Sequence, residues 1–173
     1  MASITLLVGQ IASGKSTLCK KLASSGSIIL NDDNTVTALH GGDYKLYDKK
    51  LKPLYKAMET TVITMAWALG KDVVIDRTCL DPITRQRYIS LAKSMDITDI
   101  RATVFPLCSP IVHAQRRMAS DSRGYDLEYW TKVAKFLEAK AVQPGLDEGF
   151  TEINYWHHGI GYGRRIDWLL DLD

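Results

Sequence analysis

Cysteine is scarce in this sequence, whose 173 residues contain only Cys19, Cys79 and Cys108 and no C-x-x-C pair. An odd number of widely spaced cysteines argues against both a disulfide framework and a zinc site. The sequence also lacks the basic start of a signal peptide, and no apolar run reaches the roughly 20 residues that span a bilayer. We therefore expect a cytoplasmic protein whose thiols stay reduced.

Net charge is equally small, because 22 Lys and Arg stand against 20 Asp and Glu, which leaves a formal charge of +2. This balance excludes a disordered polyelectrolyte and a histone-like coat for nucleic acid, but it leaves room for local basic patches. Apolar residues make up 46% of the chain, as in ordinary globular proteins. We expect a single domain over residues 1–173 that needs neither disulfides nor a structural metal.

Short apolar runs alternate with stretches of helical periodicity along the chain. The runs predict strands at 4–8, 27–30, 72–76, 100–107 and 151–155. The periodic stretches predict helices at 15–23, just before Gly41, and at 53–69, 82–95, 111–119 and 127–139. In the helix at 53–69, one apolar face comprises Leu54, Met58, Val62, Met65 and Leu69. The alternation predicts an α/β fold with a mostly parallel sheet, then a glycine-rich loop at 159–163 and a short helix or strand at 166–172.

The sequence Gly-Gln-Ile-Ala-Ser-Gly-Lys-Ser at 9–16 fits G-x-x-x-x-G-K-[S/T] between a predicted strand and a predicted helix. Glycines let the backbone curl so that several N–H groups point at one phosphate, and the following helix adds the positive end of its dipole. Lys15 reaches the β- and γ-phosphates, and the Ser16 hydroxyl is a ligand for Mg²⁺. We predict that ATP and Mg²⁺ are the cofactors and that they bind at Gly9, Ala12, Ser13, Gly14, Lys15, Ser16 and Thr17.

Two features of hydrolytic phosphate-loop proteins are missing. The sequence has no guanine-reading N-K-x-D, and its apolar strand at 73–75 continues into Asp76-Arg77, where motor ATPases carry Asp-Glu. The missing glutamate is the residue that orients water, so its absence favours transfer of phosphate to another acceptor. The absence also fits a non-catalytic module that binds a nucleotide and signals through a partner.

A polar run, Asn31-Asp32-Asp33, follows the second predicted strand. Ligands of open parallel sheets bind at the carboxyl ends of the strands, so these carboxylates are expected beside the γ-phosphate. A carboxylate there can accept the proton of an incoming hydroxyl during phosphoryl transfer. The same residue types also suit a solvated turn, and the neighbouring phosphate loop favours the catalytic interpretation.

Three arginines, Arg116, Arg117 and Arg123, flank the polar break between the last two predicted helices. Small kinases often supply positive charge from a mobile helical lid, and the guanidinium fork suits phosphate oxygens better than an ammonium does. The alternative is a solvated helix face. We predict that Arg117 and Arg123 act in catalysis and that Arg116 binds the nucleotide.

With these motifs in place, the chain resembles the kinase domain of 5′-hydroxyl polynucleotide kinases, as found in phages and in the mammalian kinase–phosphatase. The resemblance covers about residues 3–155 and rests on four ordered motifs: the phosphate loop, Asn31-Asp32-Asp33, the segment at 70–88, and Pro144 to Ile153. It implies a P-loop kinase-type three-layer fold, a helical lid at about 110–140, and a DNA or RNA hydroxyl as acceptor. It further implies that Asp33 is the general base and that Asp76, Arg77 and Thr78 bind the acceptor.

The departures from the family pattern lie on the acceptor side. Asp32 replaces the arginine of the family's Asn-Arg-Asp, so either Asp32 or Asp33 can be the base. Val36 stands where phage members carry an arginine that contacts an acceptor phosphate, and we hypothesise that Arg77 replaces this contact. Cys79 replaces the second asparagine of the family's Asn-Thr-Asn. These changes leave the acceptor open.

Five lysines stand against one aspartate between residues 45 and 56, where Tyr44, Tyr47 and Tyr55 are interleaved. This segment either meets a nucleic-acid backbone and its bases or is an ordinary solvated helix face. We expect a kinase for a nucleic-acid hydroxyl, foremost the 5′ end. The alternatives are a hydroxymethyl group on a base in DNA, as phosphorylated by similar phage kinases, a small molecule such as a nucleoside or antibiotic, and the non-catalytic module.

Overall fold

The computed structural model describes residues 2–121, 124–157, 161–163 and 165. Within them, six strands form one sheet in the order β2-β3-β1-β4-β5-β6. The strands are β1 (Ile4–Val8), β2 (Ile28–Leu30), β3 (Val73–Ile75), β4 (Ile100–Val104), β5 (Glu152–His157) and β6 (Gly161–Gly163). The pairings among β1 to β5 are all parallel, and β6 runs antiparallel to β5. The predicted α/β fold with a mostly parallel sheet is therefore confirmed.

Six α-helices connect these strands within the same residues. They are α1 (Lys15–Ser24), α2 (Asp32–Leu39), α3 (Lys52–Ala68), α4 (Pro82–Ser94), α5 (Pro110–Ser120) and α6 (Leu127–Glu138). Side chains cap three of them, since Asn31, Asp81 and Asp126 each accept a hydrogen bond from the backbone N–H three residues later. Each predicted helix is present. Helix α2 starts earlier than expected, so Asp32 and Asp33 form its first turn.

Both faces of the sheet are covered, because alternate side chains of each buried strand point to opposite sides. On one face, the side chains of Ile4, Leu6 and Val8 pack with residues of α3 and α4 such as Ile63 and Ile89. On the other face, Leu7, Val74 and Phe105 pack with Leu18 and Cys19 of α1 and with Trp156. The resulting three layers hold the carboxyl ends of β1, β2 and β3 side by side.

Helix α3 corrects one expectation. Its buried residues are Tyr55, Glu59, Ile63 and Ala66, whereas the predicted apolar face has three exposed members. Leu54, Met65 and Leu69 are 46%, 54% and 70% exposed. The prediction counted apolar residues only, and the buried face contains a glutamate whose charge is neutralised by arginines from elsewhere in the chain.

The glycine-rich tail gives a second correction. Residues 161–163 pair with β5 as a short strand, where a loop was expected. A β-carbon on Gly163 would lie 2.5 Å from Cδ2 of His157, so glycine permits this close pairing. The helix or strand expected at 166–172 lies outside the described residues. No described helix combines the length and apolar character needed to cross a membrane.

Candidate active site

One large cleft of about 1050 Å³ opens at the carboxyl ends of β1, β2 and β3. The phosphate loop after β1, Asn31 to Asp33 after β2, and Asp76 to Thr78 after β3 all line it. Residues of the two lid helices, α5 and α6, line the same cleft. The structure therefore brings together nearly all of the residues that the sequence singled out, as expected for a ligand site at the ends of parallel strands.

The phosphate loop has the conformation that anion binding requires. Ala12 and Gly14 have positive φ angles of 49° and 93°, which turn the backbone N–H groups inward. No described side chain caps the start of α1, so the Lys15 and Ser16 amides remain available to an anion, whereas the Thr17 N–H donates to the Gly14 carbonyl oxygen at 3.0 Å. Gly9 is needed for space, because a β-carbon there would lie 2.7 Å from Ser13 Oγ and 2.8 Å from Phe105 Cβ.

The Lys15 ammonium is buried and bonded to its own loop. Its Nζ donates to the carbonyl oxygens of Gly9 and Gln10 at 3.0 and 2.6 Å, and it lies 3.3 Å from Ser13 Oγ. Burial lowers the pKa of Lys15 to about 8, although the nearby Asp76 carboxylate opposes this shift. The hydrogen-bond partners of the ammonium are neutral oxygens, so a phosphate bound in the cleft would provide its countercharge.

Oxygen ligands for a divalent cation lie beside this lysine. Ser16 and Thr17 are exposed at the start of α1, and Ser16, Thr17 and Asp76 line the cleft. The Asp76 carboxylate accepts a hydrogen bond of 3.0 Å from Asn31 Nδ2. Burial raises the pKa of the Cys19 thiol to about 12, and the Asp76 charge adds to this rise. Asp76 is therefore close to Lys15 and Cys19 of α1, although the family resemblance implies that it binds the acceptor.

Ser16 and Asp76 suit Mg²⁺, which shares its coordination with phosphate and water, better than they suit a metal ion that needs a complete set of protein ligands. The described residues contain no group of three or more His, Cys, Asp or Glu that could hold a metal ion. Magnesium, however, usually keeps several waters and takes one or two protein oxygens together with phosphate oxygens. A hydroxyl from Ser16 and a carboxylate from Asp76, next to a phosphate cradle, match that requirement.

Two adjacent carboxylates at the start of α2 have different surroundings. Asp32 forms a direct ion pair with Arg77, and burial together with the nearby Glu59 raises the pKa of Asp32 to about 6. Asp33 is half-buried and lines the cleft. The structure therefore places both carboxylates in the cleft, with Asp32 paired to Arg77.

A cluster around Glu59 was not anticipated from the sequence. Glu59 is 5% exposed, and its carboxylate accepts hydrogen bonds from Arg87 Nη2 at 2.6 Å and from the Tyr88 hydroxyl at 2.9 Å. Arg77 Nη1 lies 3.5 Å from the same carboxylate and donates to the Tyr88 oxygen at 2.7 Å. The arginines and the tyrosine hydrogen bonds lower the pKa of Glu59 against the effect of burial, which keeps it ionised.

The segment that follows β3 is fixed by a second buried arginine, Arg85 of α4. Its Nη1 donates to the carbonyl oxygens of Cys79, Leu80 and Val142 at 3.0, 2.9 and 3.0 Å. Its Nε and Nη2 each donate to the Glu148 carboxylate at 2.7 Å. Arg85 thus holds the chain directly after Thr78 against the segment that follows the lid.

The lid helices contact the phosphate loop directly. Gln10 Nε2 donates to the carbonyl oxygen of Ala134 in α6 at 2.9 Å. Arg116 and Arg117 of α5 both line the cleft, and the Arg117 guanidinium lies 5.0 Å from the centroid of the Trp130 ring. The structure therefore places these two predicted arginines beside the nucleotide site. Arg123 lies outside the described residues.

The lysine-rich segment at 45–56 forms two short 3₁₀ turns followed by the start of α3. Its tyrosines stack on one another, with ring centroids 6.1 Å apart for Tyr44 and Tyr47 and 5.7 Å apart for Tyr47 and Tyr55. The five lysines are exposed, and among them Lys56 lines the cleft. The basic segment therefore reaches the cleft through Lys56.

The comparisons with known proteins agree with this geometry at the level of the fold. The family model described as AAA domain matches residues 4–139. No match to the chain is found among curated proteins. Among solved structures, a chain of the Pnkp1/Rnl/Hen1 RNA repair complex is similar, with a TM-score of 0.62 and 19% identity. That likeness covers 80% of this chain and 45% of the other, so this chain spans less than half of that relative's length.

Two further solved structures cover most of both chains. A protein of Chloroflexus aurantiacus J-10-fl, described as a candidate kinase, gives a TM-score of 0.63 and 15% identity over 89% of this chain and 84% of its own. A gluconokinase from Sinorhizobium meliloti 1021 gives a TM-score of 0.53 and 19% identity over 89% and 82%. Together with the six-stranded sheet, these likenesses show the P-loop kinase fold.

Proposed function

Since the chain belongs to the AAA domain family, we propose that it is an ATP-dependent kinase that transfers the γ-phosphate to a hydroxyl of a nucleic acid, foremost the 5′-hydroxyl end of DNA or RNA. The observation that carries the proposal is the composition of one cleft. It contains the phosphate loop with Lys15, the carboxylates at the start of α2 and two lid arginines. The place of a water-orienting glutamate is taken by Arg77, which is ion-paired to Asp32.

Each part of the cleft has a role in this reaction. The loop amides and Lys15 bind the phosphates, and Ser16 and Asp76 supply the protein oxygens for Mg²⁺. When bound, Mg²⁺ neutralises charge on the transferred group and the leaving phosphate. Arg116 and Arg117 offer guanidinium donors to the phosphoryl oxygens.

Asp33 takes the proton of the acceptor hydroxyl as its oxygen forms a bond to the γ-phosphorus. The bond between the γ-phosphorus and the bridging oxygen breaks at the same time, and its electron pair leaves with ADP. The acceptor approaches from the side of Asp33, Arg77 and Thr78, because the phosphate loop and the lid surround the nucleotide. This assignment keeps Asp32 as the partner of Arg77.

Two observations support a nucleic acid as the acceptor. Basic side chains, Lys56, Arg77 and Arg87, line the acceptor side of the cleft, and the RNA repair complex contains a chain of the same fold. The gluconokinase likeness supports a small-molecule acceptor as the second candidate. The acceptor panel must therefore include both classes.

The test compares Asp33→Asn and Asp32→Asn with γ-labelled ATP and a panel of acceptors. The panel comprises 5′-hydroxyl DNA and RNA oligonucleotides, a duplex with internal hydroxymethyluracil and blocked 5′ ends, free nucleosides and D-gluconate. We expect Asp33→Asn to lower kcat on the oligonucleotides by roughly 10²- to 10⁴-fold, with little change in the KM for ATP. Asp96→Asn serves as the control, since this exposed residue lies at the end of α4 away from the cleft.

The remaining outcomes are equally informative. If Asp32→Asn causes the large loss and Asp33→Asn does not, the base is Asp32. Label on D-gluconate or nucleosides alone would replace the nucleic-acid acceptor with a small molecule. Label on none of the acceptors, with intact ATP binding, would refute the kinase and support a nucleotide-binding module.

A further inference from the structure

Two arginines contact the buried Glu59, and they differ in how many of their donors are occupied. Arg77 Nη1 donates to Tyr88, lies near Glu59, and Arg77 Nη2 pairs with Asp32. Its charge is therefore met by two carboxylates. Because two carboxylates already neutralise this charge, Arg77 attracts a substrate phosphate less than an arginine with one carboxylate partner does.

Arg87 is anchored at one point only. Its Nη2 donates to Glu59 at 2.6 Å, and its guanidinium lies 5.0 Å from the centroid of the Tyr88 ring. Its Nε and Nη1 make no hydrogen bond within the part of the chain that the structure describes. The side chain is 30% exposed and lines the cleft. Arg87 thus has a fixed orientation and keeps the donors that an anion can use.

A second cation lines the same cleft. Lys56 lies on α3, three residues before Glu59, and its exposed side chain also lines the cleft. Among the described residues, Lys56 has no ion-pair partner. A guanidinium held by a buried carboxylate, with an ammonium lining the same cleft, is suited to an anion with several oxygens.

We propose that Arg87, together with Lys56, binds a phosphate of the acceptor strand, and that Glu59 is the residue that positions Arg87. The inference rests on the proposed function and narrows it, because it requires an acceptor that carries a phosphate near its reacting hydroxyl. It also reassigns the phosphate contact that the sequence suggested for Arg77. Arg77 instead holds Asp32 and completes the Glu59 cluster.

The first experiment compares two matched acceptors, a nucleoside and the same nucleoside with a 3′-phosphate, at saturating ATP. We expect wild type to prefer the phosphorylated acceptor in kcat/KM, and Arg87→Ala to reduce that preference on the order of 10- to 100-fold. Arg87→Lys keeps the positive charge but not the guanidinium fork, so its preference for the phosphorylated acceptor should lie between those of wild type and Arg87→Ala. The KM for ATP should stay unchanged in both variants.

The matched control is Arg101→Ala. Arg101 lies near the start of β4, at the end of the sheet opposite the cleft. It is ion-paired to Asp99, directly before β4, and to Glu152 of β5. It should leave the preference intact. Glu59→Gln should lower the preference as well, with more effect on the KM for the phosphorylated acceptor than on kcat, and its folding is checked by thermal melting. Rescue of the preference by Glu59→Asp would support a positioning role, because a carboxylate is restored.

A second experiment separates this inference from the proposed function. Binding of the nucleoside 3′-phosphate is measured by calorimetry with ADP present and no transfer. Binding that weakens in Arg87→Ala, and not in Arg101→Ala, supports the phosphate site even if no kinase activity is found. Equal transfer to both acceptors by wild type overturns the phosphate site while the kinase stands. Loss of D-gluconate transfer in Arg87→Ala, with no effect of a 3′-phosphate, also overturns it, because the anion would be a carboxylate.

A duplex with internal hydroxymethyluracil and blocked 5′ ends distinguishes the source of the phosphate. If Arg87→Ala impairs transfer to this duplex and not to 5′-hydroxyl ends, the bound phosphate flanks an internal base. The opposite result assigns it to the strand end. Equal transfer by wild type and Arg87→Ala on both would refute the site.

Discussion

Replacing Arg85 with leucine removes the side-chain hydrogen bonds that join the segment after β3 to the segment after the lid, and leaves the backbone bond from the Val142 N–H to the Leu80 carbonyl oxygen. Arg85 is fully buried, and it donates to three carbonyl oxygens and to both oxygens of the Glu148 carboxylate. Breaking a buried ion pair by removing one partner costs about 3–5 kcal/mol, because the other charge is left uncompensated. The Glu148 side chain is 17% exposed, which gives its carboxylate some access to water and favours the lower end of this range.

We therefore expect Arg85→Leu to lower the free energy of unfolding by about 3 kcal/mol. For a chain of this size, that loss lowers Tm by roughly 6–12 °C. The measurement is urea unfolding followed by circular dichroism at pH 7, together with a thermal melt. Glu148→Gln keeps the shape of the acceptor but leaves the fully buried Arg85 guanidinium without a countercharge, so it should cost at least as much, about 3–5 kcal/mol.

Two control variants test whether the loss of stability in Arg85→Leu arises from leaving a buried charge unpaired. Arg101→Leu removes an arginine whose side chain is 42% exposed, and it should cost under about 1 kcal/mol. The double variant Arg85→Leu with Glu148→Leu should recover part of the loss, because no buried charge remains unpaired. A cost for Arg85→Leu as small as that for Arg101→Leu would refute the role given to the buried pair.

Two further predictions concern the phosphate loop. Because burial lowers the pKa of Lys15 to about 8 and phosphate favours its charged form, ATP binding should take up about half a proton at pH 8, and affinity should fall as pH rises above 8. Calorimetry in buffers of different ionisation enthalpy measures this uptake, and equal uptake at pH 7 and pH 8 would contradict it. Gly9→Ala places a β-carbon 2.7 Å from Ser13 Oγ and should weaken ATP binding about tenfold or more. Ser24→Ala, at the exposed end of α1, is its control, and unchanged ATP affinity in Gly9→Ala would show that the loop tolerates the added carbon.

The phosphate loop could be predicted from the sequence because its function depends on consecutive residues. Glycine conformations, the start of α1 and the positions of Lys15 and Ser16 are all set within eight positions. The alternation of strands and helices was equally readable, since buried parallel strands leave short apolar runs. These local signals were sufficient to predict the fold and the donor side of the cleft.

The Glu59 cluster could not be predicted in the same way, because its members are distant in sequence. Arg77, Arg87 and Tyr88 lie 18, 28 and 29 residues from Glu59. One signal was present, since Tyr55, Ile63 and Ala66 share a helical face with Glu59. A glutamate on an otherwise apolar face indicates a buried charge that needs a partner.

The buried face of α3 was predicted wrongly for the same reason. Two apolar stripes run along this helix, and a count of apolar residues favours the stripe that contains Leu54 and Met65. The tertiary ion pairs decide which stripe faces the sheet, and periodicity does not contain that information.

Because β1 lies at the centre of the sheet, the two sides of the cleft are formed by two separate stretches of the chain. Strands β2 and β3, with α3 and α4, lie on one side of β1, and β4 with the lid helices lies on the other. Residues 31–94 therefore contribute to the lining of the cleft as one continuous stretch of chain, and residues 100–138 contribute as another. Under the proposed function, exchanging the first stretch between relatives while retaining Asp76 is a route to a new acceptor, and it leaves the sequences of the phosphate loop, α5 and α6 unchanged.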